Sequence, residues 1–592
     1  MFWKFDLHTT SHIDQLLDRE DVTLRELMEE DDVLQECKAQ NRRLLLFLSQ
    51  DHCMTELVNL ITTEPPADLE EKSRFKFPNI ACELLTSDVS LINDKLGGDE
   101  SLLETLYHFL EQDPPLNPLL ASFFSKTIGN LIARKTEQVI SFLRKKDGFI
   151  GLVLKHIDAS AMMDLLLRLI SCVEPAPLRQ EVLNWLSEEK LIQRLTELIH
   201  TGKDEERQSN ASQTLCDIIR LSRDQANQMQ ENVEADPLLA VLESQESVAG
   251  LLKTMFEGER SEASIVNGTQ VLLTLLETRR SGLEGLMDLY SQGYERSYTV
   301  NSSILHAIEP HLKDFQQLLL NPPKKSAILT TVGLLEEPLG NARLHVARLV
   351  AALLQTSAPS VCQELCKLTT MDQLLDLFFK YSWNNFLHFQ VELCVASILN
   401  HSQSYGLGVE AVSEPVGPRL FQKCRLVQRI LDAWEENDQI QAGGGARRGN
   451  MGHLTRMANM VVQNLEKGPV QSQISDLIKE LPEDCRGRWE SFVDETLRET
   501  NRRNTVELVS TIQSPSLCLS NTQIDTSFLA QSHKHSLLHA NATAFEACCK
   551  ERIRQFDDAE EEEDIWEEKE INYATQVKSR TRLVKIQDSK TK

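Results

Sequence analysis

Apolar residues recur along this chain at the spacing of amphipathic helices. In 162–170, 346–354 and 371–379, apolar residues occupy all five positions of the helical template i, i+3, i+4, i+7, i+8. Ser160 and Thr370 precede two of these segments and are typical N-terminal caps. Strict alternation of apolar and polar residues, which marks half-buried strands, is hard to find. The pattern therefore predicts an all-α protein.

Short breakers separate the helical segments. They contain the prolines, glycines and small polar residues that end helices, at 174–177, 201–204, 236–237, 321–323 and 481–482. Helices joined by short turns, in pairs about 35–45 residues apart, are typical of HEAT and armadillo repeats. Each pair buries its apolar face only by stacking on its neighbours. The sequence therefore predicts a HEAT/armadillo-like α-solenoid, with compact helical bundles as the alternative.

Two stretches depart from this periodicity. Residues 401–418 are polar and contain glycine and proline, which predicts a loop within the solenoid. From about residue 511 the helical pattern fades into polar residues, followed by an acidic run at 557–570 and a basic end. Such a composition buries too little apolar surface to offset the entropy of the chain. We therefore predict a helical-repeat domain over 1–510 and a disordered acidic C-terminal tail over 511–592.

Charge and cysteine content limit the ligands and the compartment. A net charge of -27 opposes binding to nucleic acid, where affinity comes largely from Lys and Arg contacts with phosphate. It also opposes binding to anionic membranes. Thirteen cysteines, mostly inside apolar helical patterns, indicate a reducing compartment. No stretch approaches the roughly 18–20 apolar residues that cross a bilayer. We expect no nucleic acid, no membrane insertion and a cytosolic location, with the nucleus as a second compartment.

Motifs for catalysis and metal binding are incomplete. The glycines of 444–449 have the separation of a phosphate-binding loop, but the Lys and Ser/Thr that such a loop requires do not follow. His8 and His12 can share a helix face, as can Cys362 and Cys366. A zinc site needs about four convergent ligands, and neither pair has obvious companions. We therefore expect no catalytic residues, no cofactor and no metal.

One segment, 381–390, combines four aromatic residues with several amides. Its candidate partner-binding residues are Trp383, Asn384, Asn385, Phe386, His388 and Gln390. Amide side chains can hydrogen-bond an extended peptide while aromatic rings supply buried area. The alternative, which we favour from sequence, is that Trp383 and Phe386 belong to the core and the asparagines cap the next helix. Import-type armadillo proteins repeat a Trp/Asn pair along many units, whereas here it occurs once.

Several stretches together resemble the SAPS-domain family. They are 1–41, 117–126, 160–175, 209–225, 271–280, 318–325, 383–394, 451–456 and 499–509. Members of this family are regulatory subunits of the protein serine/threonine phosphatase 6 holoenzyme. The resemblance implies a non-catalytic scaffold that binds the phosphatase 6 catalytic subunit and, with ankyrin-repeat regulatory subunits, directs it to substrates.

Composition and periodicity leave other function classes open. A helical-repeat scaffold is equally compatible with a trafficking or transport adaptor, which would co-purify with coat or import proteins instead of a phosphatase. An enzyme is a third class, and hydrolytic activity in the isolated, metal-supplemented chain would indicate it. The resemblance to the SAPS-domain family favours the phosphatase scaffold.

Overall fold

The computed structural model describes residues 12–505, apart from 69–70, 201, 203, 229–234, 259, 278–299, 332, 402–415 and 468–470. The chain divides into two units, Met1–Val506 and Glu507–Lys592, and the described residues all belong to the first. The tail predicted over 511–592, its acidic run, His8 and most of the predicted loop at 401–418 lie outside the described residues. Within the described part, no helix has the length and apolar character needed to cross a membrane.

Short helices form the N-terminal part of the described chain. They are α1 His12–Leu17, α2 Leu24–Glu29, α3 Val33–Lys38, α4 Arg42–Leu48, α5 Asp51–Thr62, α6 Glu71–Arg74, α7 Lys76–Leu85, α8 Ser90–Gly98 and α9 Glu100–His108, followed by a 3-10 turn at Phe109–Glu111. Thr23 and Glu26 form a reciprocal capping box at the start of α2. Such a box satisfies two backbone donors that a helix start leaves unpaired.

Longer helices follow in the middle of the chain. They are α10 Pro118–Arg134, α11 Thr136–Arg144, α12 Phe149–Lys155, α13 Ser160–Ser171, α14 Ala176–Glu188, α15 Leu191–Glu197, α16 Glu205–Gln228, α17 Pro237–Leu242, α18 Gln245–Phe256 and α19 Glu262–Leu276. Helices α10 and α17 begin in the same way. Asn117 caps α10 and Asp236 caps α17, and in both helices a proline occupies the first position. Proline has no N–H to leave unpaired there, so both starts are sharply defined.

The C-terminal part of the described chain contains further helices and one β-hairpin. Its elements are α20 Ser302–Ile308, a 3-10 turn Glu309–His311, α21 Leu312–Leu320, β1 Ile328–Thr330, β2 Gly333–Leu335, α22 Asn341–Gln355, α23 Pro359–Lys367, α24 Thr370–Lys380, α25 Asn385–His401, α26 Val416–Gln422, α27 Leu426–Ala442, α28 Met451–Lys467, α29 Gln471–Lys479, α30 Glu483–Ser491, a π-helical turn Phe492–Leu497 and α31 Arg498–Asn504. The two strands pair antiparallel, with Leu329 opposite Leu334. Helices nevertheless dominate, so the all-α prediction is confirmed.

From α7 onward, every third described helix stacks on the next equivalent one. Helices α7, α10, α13, α16, α19, α22, α25 and α28 pack side by side in this order and form what we call the stacked layer. The intervening helices pack in the same register, for example α11 on α14 and α14 on α17, or α15 on α18 and α18 on α20. Buried apolar residues form one continuous cluster from Ile13 to Leu497. In the part of the chain that the structure describes, three helices per repeat and one continuous core confirm the α-solenoid rather than separate bundles.

Candidate partner-binding site

Three aromatic side chains at the start of α25 point away from the core. Trp383 is 51% exposed, Phe386 76% and Phe389 45%, and we call these three residues the aromatic edge. Phe386 and Phe389 are one helical turn apart, whereas the opposite face of α25 supplies the buried Leu387 and Val391. The interpretation that Trp383 and Phe386 belong to the core is therefore wrong, because α25 meets its neighbours with its aliphatic face.

The two asparagines of the segment have different surroundings. The side-chain oxygen of Asn384 accepts a hydrogen bond of 3.0 Å from the backbone N–H of Leu387, which caps the first turn of α25. Asn385 is exposed, and Gln390 is half-buried on the same helix. The capping role expected of the asparagines therefore holds for Asn384, while Asn385 keeps its amide at the surface beside the aromatic edge.

His388 lies beneath the aromatic edge and is fully buried. Its Nε2 donates a 2.7 Å hydrogen bond to the carbonyl oxygen of Tyr381, and its ring meets that of Phe378 edge-on at 4.9 Å. Burial lowers the pKa of His388 to about 4, so the ring is neutral at physiological pH. A buried neutral ring cannot touch a partner directly; His388 instead fixes the turn that presents Trp383.

Arg343 anchors the same turn from α22. The guanidinium is buried and donates hydrogen bonds to the carbonyl oxygens of Leu339 (2.7 Å) and Pro338 (2.8 Å) and to the hydroxyl of Tyr381 (2.8 Å). The Tyr381 hydroxyl donates in turn to the carbonyl oxygen of Glu337 at 2.8 Å. This network joins the start of α22, the segment that leaves the hairpin and the turn before α25.

The start of α28 supports Trp383 from the other side. A Cβ atom added to Gly449 would lie 2.9 Å from the carbonyl oxygen of Ser382 and 3.0 Å from Cε3 of Trp383. The neighbouring Asn450 is buried, and its side-chain nitrogen lies 3.4 Å from the carbonyl oxygen of Phe378. Only glycine fits at 449, since any side chain there would push the indole and its backbone outward.

Polar contacts to a buried carboxylate join α25 to α28. Glu392 is buried on α25, and its carboxylate contacts the Nδ1 atom of His453 and lies 3.5 Å from Nη1 of Arg456. Both partners belong to α28. A buried carboxylate is stable only when it is paired. The pairing therefore fixes the register of the two helices on which the aromatic edge depends.

The described residues contain no group of three or more His, Cys, Asp or Glu placed to hold a metal ion. The predicted pair Cys362 and Cys366 lies on α23, with Cys362 buried and Cys366 half-buried. Burial raises the pKa of the Cys366 thiol to about 11, so this sulfur stays protonated at neutral pH. A protonated thiol is a poor metal ligand and a poor nucleophile.

Comparison with known proteins identifies the family. Residues 128–506 match the SAPS family, described as SIT4 phosphatase-associated protein, which is more than half of the chain. The chain belongs to the SAPS family. It is 61% identical to serine/threonine-protein phosphatase 6 regulatory subunit 2 of Homo sapiens, over 98% of this chain and 68% of that protein. It is 52% identical to regulatory subunit 3-B of Xenopus laevis (98% and 73%) and 55% identical to regulatory subunit 1 of Mus musculus (86% and 61%).

Solved structures are less similar than these relatives. The crystal structure of importin beta aligns at 12% identity and a TM-score of 0.26, over 79% of this chain and 63% of that chain. SYS-1 aligns at 9% identity and a TM-score of 0.31, over 83% and 85%. Similarity this weak adds nothing to the fold described above.

The SAPS match contains the whole aromatic edge and the residues that support it. The matched range, 128–506, includes Arg343, Tyr381, His388 and Gly449. Helices α1–α9 and the first part of α10 lie before this range. Sequence reasoning found the exposed stretch through its aromatic and amide content. It missed Arg343, which contacts Tyr381, and Gly449, which lies against Trp383. Both are distant in the chain and meet this segment only through the stacking of α22 and α28 on α25.

Proposed function

We propose that this chain is a regulatory subunit of protein phosphatase 6, which binds the catalytic subunit and directs it to substrates. The observation that carries the proposal is the identity of 52–61% to proteins named phosphatase 6 regulatory subunits 1, 2 and 3, over 86–98% of this chain. The solenoid supports it, because a pre-ordered repeat surface binds a partner with little loss of conformational entropy. The relatives do not favour a trafficking or transport adaptor.

The chemistry belongs to the partner in this proposal. The relatives are named as regulatory subunits of the phosphatase and not as the phosphatase itself, which supports a non-catalytic role here. The SAPS-domain resemblance adds ankyrin-repeat regulatory subunits as further partners. The mostly buried cysteines of the described residues and the acidic composition support a cytosolic location, with the nucleus as a second compartment.

We infer that the catalytic subunit covers the aromatic edge. Large exposed aromatic side chains that lie together mark protein interaction sites, and Trp is enriched among the residues that dominate binding energy. Trp383 is held in place by Gly449 and by the turn that His388 and Tyr381 fix, so little side-chain entropy is lost when a partner covers it. The exposed amide of Asn385 can hydrogen-bond a partner backbone beside the rings.

Trp383→Ala and Phe386→Ala test this inference in the full-length chain. Because both side chains are largely exposed, we expect unchanged helicity and melting temperature. We expect each variant to bind the phosphatase 6 catalytic subunit roughly 30-fold more weakly, as for a residue worth about 2 kcal/mol. Calorimetric titration measures the affinity, and circular dichroism measures the fold. The chain alone should release no phosphate from a phosphopeptide.

Leu46→Ala is the matched control. Leu46 is 55% exposed on α4 and lies outside the SAPS-matched residues. Its loss should change neither folding nor affinity. Equal affinities for wild type, Trp383→Ala and Phe386→Ala would place the interface elsewhere. Failure of the wild-type chain to bind the catalytic subunit, together with recovery of coat or import proteins, would support an adaptor instead.

A further inference from the structure

The β-hairpin exposes four aliphatic side chains to solvent. Ile328 and Leu329 on β1 and Leu334 and Leu335 on β2 are all exposed, Leu329 to 82%. Within the described residues the two strands form the entire sheet, so the outer edge of each strand lacks a neighbouring strand. Native proteins usually protect such edges with charges, proline or a covering element, because an open apolar edge invites pairing with another chain. Neither strand contains a charged residue or a proline.

Both ends of the hairpin are fixed to neighbouring helices of the solenoid. Before β1, the Lys325 ammonium lies 2.7 Å from the carboxylate of Glu262 at the start of α19. After β2, Leu339 is buried, and Glu337 pairs with Lys380 at 2.6 Å while its carbonyl oxygen accepts the Tyr381 hydroxyl. The hairpin is therefore held at a defined position and does not depend on its own strands for its placement.

The pairing register of the two strands shows which backbone groups face outward. Two residues connect Thr330 to Gly333, which are paired across the hairpin. In a two-residue hairpin the residues flanking the turn exchange the inner hydrogen bonds, and the next pair along points its N–H and C=O groups outward. That next pair is Leu329 and Leu334. The outer edge of β1 thus offers the donor and the acceptor of Leu329, next to its exposed side chain.

We propose that the outer edge of β1 binds an extended strand of the phosphatase 6 catalytic subunit by strand addition. This inference rests on the proposed function and adds a second contact to the aromatic edge. Only an extended backbone presents alternating donors and acceptors to a strand edge, and apolar side chains beside it favour an apolar strand. The two sites are neighbours, because the hydrogen bond from the Tyr381 hydroxyl to the Glu337 carbonyl oxygen joins the segment just after the hairpin to the turn that leads, two residues later, to Trp383. This proximity favours a single partner that contacts both sites.

A second copy of this chain is the alternative partner for the outer edge of β1. Two uncharged strands could pair with each other, but each chain carries a net charge of -27, which opposes the approach of two copies. The catalytic subunit also covers Trp383 and Phe386 in the proposed function, so the strand would add to an existing contact. These two points favour the catalytic subunit.

Paired substitutions at Leu329 separate the backbone contact from the side-chain contact. Leu329→Ala removes only the apolar side chain, whereas Leu329→Pro also removes the outward N–H and leaves the inner hydrogen bonds of the hairpin in place. We expect the alanine variant to weaken binding to the catalytic subunit, and the proline variant to weaken it by about a further 5–10-fold, the value of the one hydrogen bond that it loses. Titration with full-length chains measures both affinities.

Leu334→Ala and Leu334→Pro provide the matched pair on the other edge. The two Leu334 variants should bind the catalytic subunit with equal affinity, because the outer edge of β2 is not the edge proposed to bind. Weaker binding by Leu334→Pro than by Leu334→Ala would overturn the assignment to β1. Equal weakening by Leu329→Ala and Leu329→Pro would show a side-chain contact and overturn strand addition. If neither Leu329 variant changes the affinity while Trp383→Ala still lowers it, the hairpin inference fails and the proposed function stands.

Two further outcomes are distinguishable in the same series. If the wild-type chain does not bind the catalytic subunit, the proposed function fails and this inference fails with it. Sedimentation of the chain alone tests the second copy: a dimer that Leu329→Pro dissociates, with unchanged phosphatase binding, would identify this chain as the occupant and overturn the proposal. Unchanged circular dichroism in all four variants shows that the solenoid is intact.

Discussion

Arg343 is a buried cation whose guanidinium is satisfied mainly by uncharged groups. Two carbonyl oxygens of the segment after the hairpin and the Tyr381 hydroxyl accept its hydrogen bonds at 2.7–2.8 Å. The nearest carboxylate, that of Glu337, is exposed and lies 3.8 Å away. The guanidinium also lies over the Tyr381 ring at 5.2 Å. A planar group with several fixed donors suits this position, where a lysine ammonium could not reach all three acceptors.

We expect Arg343→Met to destabilise the protein, because it leaves two carbonyl oxygens and one hydroxyl without their donor. Unsatisfied buried polar groups cost about 1–3 kcal/mol each, so a loss of roughly 2–4 kcal/mol is expected after local relaxation. Arg447→Met, at an exposed position, is the control and should be close to neutral. Urea unfolding followed by circular dichroism measures the difference. Equal midpoints for the two variants would contradict the structural role of Arg343.

The aromatic segment shows how far residue-level prediction from the sequence can reach. Its composition identified 381–390 as unusual, and the cap at Asn384 follows from the preference of asparagine for helix starts. Which aromatic rings are buried depends on the face that α25 presents to α22 and α28. Leu387 and Val391 determine that face, because their aliphatic side chains are buried between the helices. Local sequence alone therefore could not separate core aromatics from exposed ones.

At the scale of elements, one helix of the stacked layer caps the next. Glu262 is the first residue of α19, and its Oε1 atom accepts hydrogen bonds from the backbone N–H groups of Asn341 (2.7 Å) and Ala342 (3.3 Å) at the start of α22. Gly340, the N-cap residue of α22, has no side chain to do so and adopts a φ of 80°, which favours glycine. A carboxylate at a helix N-terminus also interacts favourably with the helix dipole.

We expect Glu262→Ala to lower stability by about 1–2 kcal/mol, because α22 loses its cap and Lys325 loses its partner. Glu262→Gln should retain part of that stability, since the amide oxygen can still accept a hydrogen bond. Glu246, exposed in the first turn of α18, offers a control: Glu246→Ala should cost only a few tenths of a kcal/mol. Melting temperatures measure all three. A Gln variant as unstable as Ala would show that charge, and not capping, dominates.

Element boundaries and the hairpin were harder to predict than the helices. Helices α13 and α24 start at Ser160 and Thr370, and their N-caps are Ala159 and Thr369, so both predicted caps are one residue late. Capping preference is a local tendency that packing can shift by a residue. The hairpin has strands of only three residues, and their exposure leaves no pattern of alternating burial to detect.

At the scale of the molecule, the solenoid was predictable because its apolar helical segments recur at a regular spacing along the sequence. Helices α10, α13 and α16 begin at Pro118, Ser160 and Glu205, within the spacing expected for such repeats. Three helices per repeat were not predicted, since short elements such as α12 and α15 are too brief to show a helical period. The wider spacing between α19 and α22 contains the hairpin and also residues 278–299, which lie outside the described part of the chain.

The C-terminal end of the described solenoid allows a test of the predicted domain boundary. Phe492 packs its ring against Trp434 and Trp489 at centroid distances of 5.0 and 5.6 Å, and Leu497 is also buried. Helix α31, from Arg498 to Asn504, buries no residue. A repeat protein derives its stability from contacts between neighbouring units, so these buried contacts stabilise the C-terminal end of the described array.

We therefore expect a chain ending at residue 510 to unfold at the same urea concentration as the full chain. A chain ending at residue 491 should unfold earlier, because losing Phe492 exposes two tryptophans and removing a buried aromatic side chain costs about 3–5 kcal/mol. Limited proteolysis of the full chain should stop at an end between about 500 and 515, if the tail predicted over 511–592 has too little apolar surface to resist cleavage. First cuts within 160–350, or a destabilised 1–510 chain, would show that the domain boundary lies elsewhere and that residues after 510 support the solenoid.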